Sequence, residues 1–207
     1  IYTLSLHDAL PICNKGVDII KKYLIIIILM FVCSSVGCSN SNSNIKEYLS
    51  RDNKIDSKAK DVMPSLESLP EYEDIKYVST HRSMVLFESD SIALIVNYDD
   101  DTYENEKNKL DDDYVFLKKE VKSKFDETKY YITENEFSIN SYKFRVIDDT
   151  QSSNIEYPKS FGIIGTSDEK NSIAYLYFYD FDLDYIGKED KDFSMANFVK
   201  EYFKYDF

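Results

Sequence analysis

Residues 71–207 predict an α+β domain: an antiparallel sheet built from two hairpin-plus-helix repeats, with the helices packed on one face. Three observations lead there. From Tyr72 onward the chain breaks into short runs rich in β-branched and aromatic residues, separated by polar turns. Two other stretches space their apolar residues at helical intervals. Finally, "SIALIVNYDDD" (Ser91 to Asp101) and "SIAYLYFYDFD" (Ser172 to Asp182) align without a gap, sharing Ser-Ile-Ala at the start and Tyr-Asp-any-Asp at the end. Each follows a strand and a polar segment containing Ser-Asp, and each precedes a helical stretch, so two copies of one unit related by pseudo-symmetry are expected.

The elements follow in order. "DIKYVSTH", "SMVLFESD" and "SIALIVNYD" read as strands, with "ESDS" as the polar turn between the last two. A helix is predicted in "DDTYENEKNKLDDDYVFLKK", capped by Asp or Thr, because Tyr103, Leu110 and Tyr114 recur on one face. "KYYITENEFSI" and "YKFRVID" read as strands around a turn at Asn140 and Ser141. "SFGIIGTS" and "SIAYLYFYDFDLDYIG" form a further hairpin around "DEKN", the second strand alternating apolar and polar residues as a one-sided sheet requires. The last segment, "DFSMANFVKEYFKYDF", is helical, with Phe193, Ala196, Tyr202 and Phe203 on a stripe around Val199.

Composition narrows the partners. With 25 Lys and Arg against 38 Asp and Glu, the chain carries a formal charge of −13. Nucleic acid and anionic lipid headgroups are repelled by such a surface, and cations are attracted. Stability must come from a packed core, for which 18 Tyr and 13 Phe supply material, because Cys38 is the last of only three cysteines. With five glycines in all, no phosphate-cradling loop is found.

The N-terminal part reads as an address. Lys21 and Lys22 precede the apolar run "YLIIIILMFV", followed by "CSSVGC" and the polar tract "SNSNSN". The run is about ten residues, shorter than the ~20 a membrane-spanning helix needs. This order resembles the lipobox signal of bacterial lipoproteins, with Gly37 before the cleavage point and Cys38 as the first mature residue; Ser35 departs from the usual Leu. The resemblance implies a diacylglycerol on Cys38 and a location at the outer face of the bacterial cytoplasmic membrane. In general composition the chain resembles the small lipoproteins of Gram-positive gut bacteria, a likeness that carries no activity. Residues 1–12, "IYTLSLHDALPI", resemble a translated sequencing-adapter read-through, so His7, Asp8 and Cys13 carry no argument. The expected organisation is 1–19 as adapter and mis-assigned start, 20–37 as signal peptide, 38–70 as lipidated Cys and polar tether, and 71–207 as the domain.

Few residues invite chemistry. Asp180, Asp182 and Asp184 stand at positions 1, 3 and 5 of an EF-hand-like loop, but Tyr185 and Lys191 occupy the places for Gly and the bidentate Glu. Alternation with Tyr179, Phe181, Leu183 and Tyr185 favours a strand with its acids in water. Asp99 and Asp101, in the first of two aspartate triplets, suit a helix N-terminus and are further metal candidates. His81, within "STHRS", is the one imidazole after the signal; it could share a strand face with Ser83, but no nucleophile elbow frames that serine. Zinc finds no usual ligand set, since one His and a lipidated Cys leave only carboxylates. The expectation is therefore a lipid-anchored extracytoplasmic binding or interaction protein, without catalytic residues or cofactor, bound to the membrane through Cys38. A protein or glycan partner could meet surface tyrosines; oligomeric state is left open. The alternatives are an acidic solute- or calcium-binding accessory of an envelope transporter and, behind it, a hydrolase.

Overall fold

The computed structural model describes residues 38–49, 59–84, 87–123, 128–148, 159–180, 186–188 and 194–207. Its strands are β1 (Cys38–Asn42), β2 (Asp74–Met84), β3 (Phe87–Asn97), β4 (Val121–Lys122), β5 (Lys129–Ile132), β6 (Glu136–Ile139), β7 (Tyr142–Val146), β8 (Lys159–Ser167), β9 (Ser172–Asp180) and β10 (Gly187–Lys188). Its α-helices are α1 (Ala59–Val62), α2 (Asp100–Asp113) and α3 (Met195–Phe203). Seven strands form one sheet in the order β1-β2-β3-β9-β8-β7-β6, with every neighbouring pair antiparallel. β10, β5 and β4 form a small second sheet. The fold is thus α+β and mostly antiparallel, as the strand runs predict. Among the described residues no helix is long and apolar enough to cross a membrane.

The centre of the large sheet is buried on both faces, and this sets where the helices go. Along β3, Ile92, Leu94 and Val96 belong to one core layer while Ala93 and Ile95 belong to the other. β9 repeats the pattern, with Ile173, Tyr175 and Tyr177 on one side and Ala174, Leu176 and Phe178 on the other. Tyr103 and Leu110 of α2 join the first layer, whereas Met195, Phe198, Val199 and Phe203 of α3 join the second. The two helices therefore cover opposite faces of the sheet, not one face. The reason lies in the β9 run, which reads as near-continuous apolar residues and needs cover on both sides. The expected one-sided alternation of β9 does not hold, since Ser172 to Phe178 are all buried.

Local chemistry sets the element ends. Asp99 caps α2 by accepting from the Thr102 amide at 2.9 Å and hydroxyl at 2.7 Å. α2 stops at Asp113 with Tyr114 as its C-cap, earlier than expected, and Phe116 and Leu117 then pair with the end of β7 and the residue after it. Asn140 and Asn171 take left-handed conformations (φ 51° and 46°) at the β6–β7 and β8–β9 turns, where Asn is tolerated best after Gly. "KYYITENEFSI" divides into β5 in the small sheet and β6 in the large one. Gly165 faces Phe144 across β7–β8, and a Cβ there would collide with the phenyl ring, so the glycine makes room for it.

Two expectations near the N-terminal half are corrected. Of the segment read as polar tether, the described residues 38–49 and 59–70 include a paired strand and buried side chains. β1 extends the sheet along β2, from Cys38 opposite Ser83 to Asn42 opposite Ser79, and Tyr48, Ala59 and Met63 are buried. Ser and Asn can make ladder hydrogen bonds without burying apolar area, a pairing that hydrophobic pattern does not report. The segment "ESDS" is no turn: Glu88 to Ser91 lie inside β3, which pairs antiparallel with β2 up to Met84↔Phe87; residues 85–86 lie outside the described residues.

Candidate functional site

The part of the β2–β3 hairpin towards Met84 and Phe87 carries polar residues where the middle of β3 and β9 carries apolar ones. Ser79, Thr80, Ser89, Asp90 and Ser91 are all buried. Register places His81 opposite Asp90 and Ser83 opposite Glu88. Residues two apart on a strand share a face, so His81, Glu88 and Asp90 project together. His81 Nδ1 lies 3.0 Å from Asp90 Oδ1 and 3.7 Å from Glu88 Oε1. One ligand atom from each of the three falls within 4.8 Å of the other two. The His81 and Asp90 side chains keep only 19% and 12% of their surface exposed, against 42% for Glu88. The cluster is thus a sheltered imidazole–carboxylate pair with a second carboxylate at its mouth.

The opposite face of the same segment is pinned by α3. Ser91 Oγ donates to the Tyr202 carbonyl at 2.7 Å. Arg82 reaches Glu201 Oε1 at 3.2 Å, also donates to the Glu201 carbonyl, and lies 4.3 Å from the Tyr202 ring centroid. A guanidinium at the C-terminal end of a helix complements the helix dipole and its last carbonyls. These contacts hold β2 and β3 from behind while the His81 face stays clear of them. Ser83, the candidate nucleophile, makes no side-chain hydrogen bond to His81 among the described residues; Asp90 takes the imidazole instead.

Among the described residues, Asp99, Asp101 and Asp180 join no group of metal-ligating side chains. Asp180 ends β9 and pairs in register with Ser89 and Lys159, while Asp182 and Asp184 lie outside the described residues. Asp99 spends its carboxylate on Thr102, whose amide and hydroxyl hold its pKa below the usual range. Asp101 lies exposed in the first turn of α2. Asp99, Asp100 and Asp101 line an open hollow of about 510 Å³ with Glu73, Tyr98 and Asn171, the last hydrogen-bonded to Asp100. A second hollow, about 470 Å³, opens between α2 and β6–β8, and its charges are mixed. There Arg145 pairs with Asp111 at 2.5 Å and stacks on Phe116, and Lys107 pairs with Asp168 at 2.6 Å.

Sequence reasoning singles out His81 but misses Glu88 and Asp90. Both fall in the segment taken for a turn, and only the hairpin register brings them to the imidazole. The signal that could have found them is the length of strand on either side. "DIKYVSTHRSM" and "FESDSIALIVN" are equal in length, and a tight reversal between them places His81 against Asp90. No family model, curated protein or solved structure matches this chain.

Proposed function

We propose that this chain is a lipid-anchored extracytoplasmic binding or interaction protein, held at the outer face of the bacterial cytoplasmic membrane by a diacylglycerol on Cys38. One observation carries the reading: the compact unit, Cys38–Phe207, begins at the residue that cleavage after Gly37 would leave first. The order of Lys21 and Lys22, the apolar run, Gly37 and Cys38 supports it independently. Because Cys38 also opens β1 beside Ser83, the acylated end would hold the reversal end of the β2–β3 hairpin toward the bilayer. A single acyl chain binds marginally, so the diacylglycerol form is what makes such an anchor stable. Partners beyond the membrane would be protein or glycan, met by exposed aromatic surface such as Tyr72; the acidic charge disfavours nucleic acid.

The four central strands, β2-β3-β9-β8, also support reading the domain as a duplicated hairpin. Leu94 pairs directly with Tyr175, and these are equivalent positions of the two similar segments, as a local two-fold axis between them would require. The helices do not follow that axis, since α2 and α3 cover opposite faces. The test of the anchor is intact mass after expression from Val17, behind an initiator Met, in a Gram-positive host. The expected species starts at Cys38 and carries a diacylglycerol. An unlipidated chain that retains residues 21–37 overturns the proposal.

A further inference from the structure

We propose that His81, Glu88 and Asp90 bind a first-row divalent transition-metal ion, with Zn2+ the best chemical fit. The site stands whether or not Cys38 is acylated. An ion about 2.1 Å from each nitrogen and oxygen donor holds those donors about 3–3.5 Å from one another. The observed separations from His81 Nδ1, 3.0 Å to Asp90 and 3.7 Å to Glu88, are already close to that spacing. Little rearrangement is needed, and what is needed falls to Glu88, the most exposed of the three. The backbone behind them is an antiparallel ladder with continuous register from Asp74↔Asn97 to Met84↔Phe87, which keeps the donors on a rigid platform.

The donor set selects the ion. One imidazole and two carboxylates suit a borderline cation that accepts nitrogen and oxygen together. Ca2+ prefers six to eight oxygens, and Mg2+ keeps most of its water, so neither gains from the imidazole. Three protein donors leave at least one position on Zn2+ open to water or to a donor atom of a bound partner. Electrostatics point the same way. Two carboxylates gathered at the hairpin, one of them sheltered, repel each other, and a divalent ion neutralises both. The chain as a whole, at −13, concentrates cations around it.

The experiment uses the full chain in detergent, stripped with EDTA and titrated with Zn2+ by calorimetry. Co2+ serves as a second probe whose visible absorption reports its ligand field. The expected result is one tight Zn2+ per chain, a Tm that climbs with Zn2+ but not with equal Ca2+, and a Kd raised about tenfold or more by His81→Gln, Asp90→Asn and Glu88→Gln. Co2+ absorption should change in the same three variants. Absence of tight binding, or binding equally strong in all three, overturns the site and assigns the metal to the general acidic surface. Should the sheltered Asp90→Asn fail to fold, Glu88→Gln decides the matter, since its carboxylate is the one most open to solvent.

Discussion

Strand β3 is two strands in one. From Ile92 to Val96 it is apolar and at most 2% exposed; from Ser89 to Ser91 it is polar and at most 9% exposed. The depth of burial is nearly the same, but the energetics differ. The apolar half gains from leaving water, roughly 1.5–3 kcal/mol for each large side chain. The polar half gains nothing by burial and holds only because its groups are matched, Asp90 to His81 on one face and Ser91 to the end of α3 on the other. Stability is thus concentrated at one end of the hairpin, and specific polar chemistry at the other.

The sharpest way to break this contrast is to cut each half. Leu94 is fully buried between β2 and β9, so Leu94→Ala should cost about 2–5 kcal/mol in a urea or thermal melt, as a cavity forms that neighbours fill only in part. In the polar half, metal-free Asp90→Ala should cost less, about 1–3 kcal/mol, by leaving a sheltered imidazole without its acceptor. The double replacement His81→Leu with Asp90→Leu should recover that loss or exceed the wild-type stability, because apolar side chains can substitute for a buried ionisable pair. A double variant less stable than Asp90→Ala would show that the pair contributes to folding and is not kept for binding.

The same contrast explains what could be read from the sequence. The apolar halves were legible: "SIALIVN" and "SIAYLYF" announce strands through their apolar, β-branched and aromatic residues, and they share the start Ser-Ile-Ala. Periodicity failed where burial was two-sided, because residues apolar on both faces show no alternation to say which side a helix covers. It failed again where strands were polar. β1 is Cys-Ser-Asn-Ser-Asn, indistinguishable by composition from a tether, and the Glu88–Ser91 segment looks like a turn. Only pairing with β2 makes either a strand, and pairing is a long-range property. The candidate site suffered most, since its three donors meet through register and not through any local motif.

The smallest effect expected belongs to the other end of the molecule, at the β8–β9 turn. Asp168 accepts from Lys107 at 2.6 Å and from the Tyr103 hydroxyl at 2.6 Å, tying the turn to α2. Those two hydrogen bonds hold the Asp168 carboxyl below its ordinary pKa. A depressed folded-state pKa means that the unfolded chain binds the proton more readily, so the contribution is present above the ordinary carboxylate range and is lost as pH falls through the depressed value. Asp168 is 62% exposed and solvent screens the pair, so the contribution should lie at or below about 1 kcal/mol. Asp168→Asn should therefore lower the urea midpoint slightly at neutral pH, and the gap to wild type should close as the pH is taken below 4. A gap that persists unchanged into acid would mean that the turn is held by Tyr103 and backbone geometry, with the charge on Asp168 contributing nothing. In that case the contacts Asp168 makes at this end would be neutral in character, and the lost stability would trace to acceptor geometry that the Asn amide does not reproduce.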